Sequence, residues 1–252
     1  MTEIIQRRNG TIIEFIGDGI LAIFGAPAPS DCHASDAAAA AIEMQAQMEE
    51  INRWNEARGF PVLEMGIGIN TGEVIVGNIG SEKRTKYGVV GSHVNLCGRI
   101  ESYTVGGQIL ISPETRSWIQ EPLEVAGEQS VLPKGVKEPL TLSHITGLGG
   151  SYGVTCKREE DTPVPLKTPA AVSFVAIHEK HVDALPSAGQ FTALCRSGGV
   201  LETQAPLERY ANLQLDIGGK LFAKVTDRLE NGWLLRFTAR PPEFERWYES
   251  QS

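Results

Sequence analysis

The chain has 252 residues, 23 Lys and Arg against 31 Asp and Glu for a formal net charge of −8, and 41% hydrophobic residues. That length holds one large domain or two ordinary ones, and the composition belongs to a chain with buried cores, not one that is disordered throughout, collagen-like or of low complexity. The acidic balance disfavours a broad phosphate-backbone footprint, so no nucleic acid is expected as a partner.

Thr2 to Arg8 reads as the tail of a helix stopped by Asn9-Gly10, a left-handed cap signal. Two apolar runs, Thr11 to Ile16 and Ile20 to Phe24, flank Gly17-Asp18-Gly19 and predict a hairpin with Asp18 at its tip. From Asp31 to Ala57, the residues Ala37, Ala41, Met44, Met48 and Ile51 recur at spacings of four and three, which predicts an amphipathic helix. Leu63, Met65, Ile67 and Ile69 alternate with Glu64, Gly66, Gly68 and Asn70, and a second run from Val74 to Ile79 follows Thr71-Gly72, predicting another hairpin. Tyr87 to Val90 reads as a short strand and His93 to Tyr103 as a helix, on which Asn95 and Arg99 stand four apart and share a face. Ile109 to Ile111 reads as a strand, and Ser112-Pro113-Glu114 opens a helix with a capping serine and proline at the first position.

Strands and helices mixed with hairpins favour an α+β sheet over a doubly wound parallel one. The character changes after residue 147. Gly147 to Tyr152 is glycine-rich, and Lys157 to Pro169 is charged and carries three prolines, so residues 148–169 read as a linker between a domain at 1–147 and a second at 170–252. In the second, six short runs are separated by turn residues: Ala171 to Ile177, Gly189 to Leu194, Val200 to Thr203, Ala211 to Asp216, Lys220 to Thr226 and Trp233 to Thr238. These predict a small all-β barrel or sandwich, with Trp247 and Tyr248 covering it.

Cys32, Cys97, Cys156 and Cys195 lie far apart with no C-x-x-C pair, which suggests neither a disulfide framework nor a zinc site. His178 and His181 lack a nearby third ligand for a metal. With no apolar run of about 18 residues and no signal pattern at the N-terminus, the chain is expected to be cytoplasmic, with no membrane segment.

Singly, the polar motifs are modest: Gly17-Asp18-Gly19 is a common turn, and Asn95 with Arg99 is a common solvated pair. Their order is more informative. In GTIIEFIGDGILAIFGAP, MGIGINTGEVIVGNIGS and KRTKYGVVGSHVNLCGRIES, residues 1 to about 145 resemble the class III nucleotidyl cyclases, the catalytic domain of adenylate and guanylate cyclases. The resemblance implies a ferredoxin-like α+β sheet, incomplete at its N-terminus here, and a homodimer whose active sites form between two such domains. It implies a reaction in which the ribose 3′-oxygen of GTP or ATP attacks its own α-phosphorus and pyrophosphate leaves. It also implies a two-metal site for Mg²⁺ or Mn²⁺, oxygen-seeking ions, with Asp18 as one of the two aspartate ligands. Asn95 matches the residue that orients the ribose, and Arg99 the guanidinium that stabilises charge on the α-phosphate, a task suited to a permanently charged fork of donors. Base choice falls on Glu14, where adenylate-type members carry Lys, and on Gly88, seven positions before Asn95, where many carry Asp or Thr. A carboxylate accepts from guanine N1–H and N2–H but pairs poorly with adenine N1, itself an acceptor, so GTP is the expected substrate. Lys134-Gly135-Val136-Lys137 resembles the segment where the family places a triphosphate-contacting lysine.

The family's other metal aspartate sits in an Asp-apolar-x-Gly-Phe block on its first strand, well ahead of the second aspartate, and residues 1–17 do not contain it. A catalytic domain lacking its first strand here is therefore the leading reading, and a catalytically inactive cyclase-homology module with a regulatory or nucleotide-binding role is the alternative. The C-terminal region loosely resembles PilZ-type barrels. Cys195 and Val200 stand where that family's ligand-binding turn has Asp and Gly, and Lys157-Arg158 lacks the second spaced arginine, so a regulatory barrel without its ligand contacts is expected.

Overall fold

A computed structural model describes residues 1–60, 62–81, 84–156, 161–178, 181–182 and 185–251. The chain divides into two compact units, Met1–Gly59 with Met65–Arg158 and Phe60–Glu64 with Glu159–Ser252.

In the first unit, α1 (Thr2–Arg7) runs into β1 (Gly10–Ile16) through Asn9 at φ 61°, the left-handed residue that the Asn-Gly pair predicts. Gly10 is required by crowding, because a Cβ there would stand 2.6 Å from Ile5 and 2.7 Å from Phe24. β1 pairs antiparallel with β2 (Gly19–Phe24). The long α2 (His33–Glu56) comes next, with Ala37 to Ala41 all buried. Small side chains suit it because the helix packs on two sides. Ala38, Ala39, Ala41 and Ile42 meet the sheet residues Ile109, Ile111 and Ile145, while Ala40 and Met44 meet Ile4 and Ile5 of α1. The carboxylate of Asp36, buried at the start of α2, accepts from the Tyr152 hydroxyl at 2.8 Å and from Asn9 Nδ2 at 3.0 Å, which offsets its desolvation.

The remaining elements are β3 (Ile67–Ile69), β4 (Ile75–Ser81), β5 (Arg84–Val90), α3 (Ser92–Ser102), β6 (Ile109–Ile111), α4 (Pro113–Trp118), β7 (Leu123–Val131), β8 (Leu140–Leu148) and β9 (Val154–Thr155). The main sheet has the order β3-β6-β8-β7, with β9 on β8. Ser112 caps α4 as its sequence predicts, accepting from the Thr115 amide at 3.2 Å. The expected hairpin between the Leu63–Ile69 and Val74–Ile79 runs is not formed. β3 instead pairs parallel with β6, and β4 pairs antiparallel with β5. Alternation reports which face a residue occupies, whereas the partner is set by burial, and Ile67 and Ile69 gain most beside the fully buried Ile109–Ile111 strand. Among the described residues β2 pairs only with β1, and β3 only with β6. With α2, these two strands line a cavity of about 710 Å³ whose walls include Ile20, Ala22, Phe24, Ala37, Ile67 and Ile69. Asn70 also lines it, and its Oδ1 is buried without a hydrogen-bond partner among the described residues.

The second unit comprises β10 (Val164–His178), β11 (His181–Val182), β12 (Ser187–Cys195), β13 (Gly198–Glu202), β14 (Asn212–Asp216), β15 (Lys220–Leu229), β16 (Gly232–Ala239) and α5 (Phe244–Glu249). The stretch 148–169 read as linker thus carries structure, since β9 pairs with β8 and β10 begins at Val164. All six predicted strands form, and their pairing β10-β12-β13-β16-β15-β14 closes when β14 returns to β10. The architecture is therefore α+β in the first unit and a six-stranded barrel in the second, a shape consistent with the PilZ-like reading. Closure removes the free edges that a lone sheet would expose. Phe174, Phe191, Leu201, Leu213, Leu221 and Leu235 fill the interior, and α5 lies over it, with Phe244 at 5.5 Å from Phe237 and Trp247 at 5.9 Å from Phe191 between ring centroids. Trp247 and Tyr248 pack against this core, as expected. Phe191→Ala is expected to destabilise the barrel by about 3–5 kcal/mol, measured as the free energy of its denaturant-unfolding transition. At the turn between β12 and β13, the Ser197 amide donates to Asp161 Oδ2 at 3.3 Å and Arg236 Nη1 to Ser197 Oγ at 3.0 Å. Lys157, Arg158 and the side chains of His178 and His181 lie outside the described residues.

Candidate active site

The β1–β2 hairpin turns at Gly17, φ 63°, and Asp18, which is exposed at the tip and makes no hydrogen bond or ion pair among the described residues. Further down β1 the register slips. Ile12 pairs with Ala22 but Glu14 with Leu21, so Ile13 is an extra residue that bends the strand and re-aims the side chains beyond it. Glu14 then reaches β5, where Lys86 Nζ sits 2.5 Å from its Oε1. Both side chains are about half exposed, so the pair contributes little to stability. Lys86 and Gly88 are two apart on β5 and face the same side. A Cβ at Gly88 would meet Ile79 Cδ1 at 3.5 Å, an ordinary contact, so the fold itself does not demand glycine there.

β5 leads through Gly91 into α3, whose Asn95 amide donates to Gly91 O at 3.4 Å. The inner side of α3 is fixed by close approach to β3. A Cβ at Gly68 would lie 2.4 Å from the Glu101 amide nitrogen, and Cys97 Sγ donates to Gly68 O at 3.4 Å. Burial pushes the Cys97 thiol up, so it is a packing group and not a nucleophile. The outer side carries Asn95, exposed, and Arg99, half-buried, about 6 Å apart along the axis at 1.5 Å per residue. Gly88, Asn95 and Arg99 therefore succeed one another along the strand and the next two helical turns.

Beyond Arg99 lies the connection between β7 and β8. Pro133-Lys134-Gly135-Val136 forms a tight turn, closed by the Val136 amide on Pro133 O at 2.9 Å, with Gly135 at φ 81°. Gly135, third in the turn, suits it because glycine accepts φ above zero there. A Cβ at Gly135 would stand 3.5 Å from Arg99 Nη1, which places the Lys134–Lys137 segment beside the guanidinium. Arg99 makes no side-chain hydrogen bond or ion pair among the described residues. The structure thus groups Glu14 and Gly88, adds Lys86 to them, and sets Arg99 against the turn, while Asp18 stands alone at its tip. Lys86 was not among the site residues expected from sequence, whereas the Lys134–Lys137 segment was singled out there by its resemblance. For Lys86 the available signal was its i, i+2 relation to Gly88.

Among the described residues no three His, Cys, Asp or Glu side chains cluster as a metal site. A Mg²⁺-like ion takes about six oxygen ligands, and Asp18 supplies one carboxylate, so these residues alone do not complete a metal centre.

Residues 1–147 match the family described as the adenylate and guanylate cyclase catalytic domain, and the chain belongs to that family. Its fold is similar to that of the guanylyl cyclase Cya2, with 51% identity and a TM-score of 0.60 over 62% of this chain and 79% of that one. It is also similar to the adenylyl cyclase CyaB of P. aeruginosa, with 32% identity and a TM-score of 0.54 over 58% and 76%. Adenylate cyclase 1 of Rhizobium meliloti (strain 1021) is 28% identical over 156 residues, 61% of this chain. The chain spans 24% of that relative's length. Members of the family generally use divalent metal ions, and no helix among the described residues is long and apolar enough to cross a membrane.

Proposed function

We propose that the first unit is one half of a nucleotidyl cyclase that converts GTP, in preference to ATP, into the 3′,5′-cyclic monophosphate and pyrophosphate, acting as a homodimer in signal transduction. The observation that carries this reading is Glu14 paired with Lys86 beside Gly88 on β5, followed along the chain by Asn95 and Arg99 on α3, an order that matches base, ribose and phosphate in a nucleotide. Glu14 accepts from the guanine edge, and Gly88 leaves room beside it. Asn95 holds the ribose so that its 3′-oxygen lies in line with the α-phosphorus. Arg99 donates to the non-bridging α-phosphate oxygens, whose charge grows in the transition state, so its contribution falls mainly on turnover. Asp18, completed by a second carboxylate, would hold a divalent ion such as Mg²⁺ or Mn²⁺, which would supply charge neutralisation and a more acidic 3′-hydroxyl. Likeness to Cya2, a guanylyl cyclase, supports the base preference.

Exposed apolar residues on the β4–β5 hairpin, Ile75 at 71% and Val90 at 44%, support a partner surface beside the site. In the homodimer, Asp18 of one protomer and Arg99 of its mate serve the same triphosphate. Asp18→Ala and Arg99→Ala are each expected to lower cyclase activity at least about 10²-fold as pure dimers. Mixed, they restore about a quarter of wild-type activity, since half the dimers are mixed and one of their two sites is intact. No recovery on mixing, with mixed dimers verified by mass, overturns the shared site.

The slot between β2 and β3 belongs in the same reading. Two unpaired strand edges, apolar walls and the unpartnered Asn70 Oδ1 suit a β-strand, whose amides would satisfy both edges. A strand like the family's first, carrying the second carboxylate, fits it. Supplying such a strand, fused ahead of Met1, is expected to raise Tm and to protect the amides of β2 and β3 from hydrogen exchange. Unchanged protection refutes the assignment.

A further inference from the structure

Arg99 needs a fixed direction and an undiminished charge, and these demands conflict when an arginine is held by a carboxylate. An acidic partner orients a guanidinium but occupies its donors and lowers its field. The structure resolves the conflict with groups that carry no charge. Tyr103 lies four residues after Arg99, at the end of α3 and on the same side of it. Its hydroxyl donates to Leu132 O at 3.4 Å, immediately before the Pro133–Val136 turn. The tether joins that turn to the helix, and Gly135, whose left-handed φ of 81° closes the turn, is the residue that faces the guanidinium. The Tyr103 hydroxyl stays protonated near neutrality, because desolvation pushes its pKa up even though the Arg99 charge acts the other way.

We propose that Tyr103 and Gly135 are positioning residues for Arg99, clasping helix α3 to the β7–β8 turn so that the guanidinium is aimed by neutral contacts and keeps its charge for the nucleotide. The proposal rests on the cyclase reading of Arg99. It adds that the turn and the helix act as one rigid support, in which a displacement of about 1 Å lowers turnover without weakening substrate binding.

The experiment is a double-mutant cycle on the full-length protein, reading kcat and KM for GTP cyclisation in the wild type, Tyr103→Phe, Arg99→Ala and the double variant. Tyr103→Phe keeps the ring and removes one oxygen. It is expected to lower kcat about five- to tenfold with KM within about twofold, and to cause less than a twofold further loss when Arg99 is already alanine. Gly135→Ala, strained at its left-handed φ, is expected to shift the turn and do the same. Equal losses in both backgrounds, or no loss from Tyr103→Phe while Arg99→Ala is severe, overturn the clasp and leave the cyclase reading standing. An Arg99→Ala protein as active as wild type sinks the cyclase reading itself. A readout independent of turnover is the hydrogen exchange of the Val136 amide, expected to quicken at least threefold in Tyr103→Phe at unchanged global Tm, and unchanged exchange likewise overturns the clasp.

Discussion

Arg99→Ala lowers kcat for cyclisation by about 10²–10³, with KM for the triphosphate changed by less than about threefold, because the charge it meets is larger in the transition state than in the bound substrate. Steady-state rates of cyclic nucleotide formation measure it directly. Arg99→Lys is not expected to restore the rate, since a single ammonium on a flexible stem cannot present two parallel donors to phosphate oxygens. The side chain makes no ion pair among the described residues, so its removal leaves no buried carboxylate unpaired, and the variant is expected to keep its Tm. A loss confined to KM, or a parallel loss of folding, contradicts the assigned role.

The second large effect is on base choice, measured as the ratio of kcat/KM for GTP over ATP. In the wild type the ratio favours GTP, and equal rates with both triphosphates refute the preference. Glu14→Lys removes the acceptor for guanine and is expected to cut GTP use by about 10², in line with the roughly 1.5–3 kcal/mol of a hydrogen bond to a charged group. The substitution does not by itself confer ATP use. Lys86, 2.5 Å from the Glu14 carboxylate, would then face a second ammonium, and like charges at that distance turn the new side chain away. Glu14→Lys with Lys86→Gln and Gly88→Asp removes the repulsion and adds an acceptor for the adenine amino group. The triple variant is expected to invert the ratio where the single one does not. Space exists for the aspartate, since a Cβ at Gly88 makes only an ordinary contact with Ile79. If the single variant already turns over ATP as well as the triple, the Lys86 pairing has no part in specificity.

Local patterns were legible wherever the physics is local. The Asn9-Gly10 cap, the Gly17-Asp18-Gly19 turn, the Ser112-Pro113 helix start and the six barrel strands all appear where short-range backbone preferences and period-two burial place them. Long-range pairing was not legible in the same way. In β7 and β8, the longest strands of the first unit, alternation is short: Leu140 and Leu142 alternate with Thr141 and Ser143 for only four residues, and Gly127, Glu128 and Gln129 break the pattern in β7. Their stability comes from pairing with each other and from β8 packing on α2, neither of which a window of sequence contains.

The candidate site divides along the same line. Residue order alone, through the resemblance it carries, named Glu14, Asp18, Gly88, Asn95 and Arg99, because each chemical task needs a particular side chain at a particular spacing on its own element. Lys86 beside Glu14, and the nearness of the Lys134–Lys137 segment to Arg99, emerged only in three dimensions. One depends on a bulge at Ile13 that re-aims a strand, the other on a glycine in a left-handed turn and a tyrosine one helical turn past its arginine. Sequence by itself determined which groups are present and which short elements carry them, since those depend on backbone preferences and local periodicity. Tertiary structure alone decided which strands pair and which neutral or charged neighbour each reactive side chain meets, since those depend on burial shared between residues far apart in the chain.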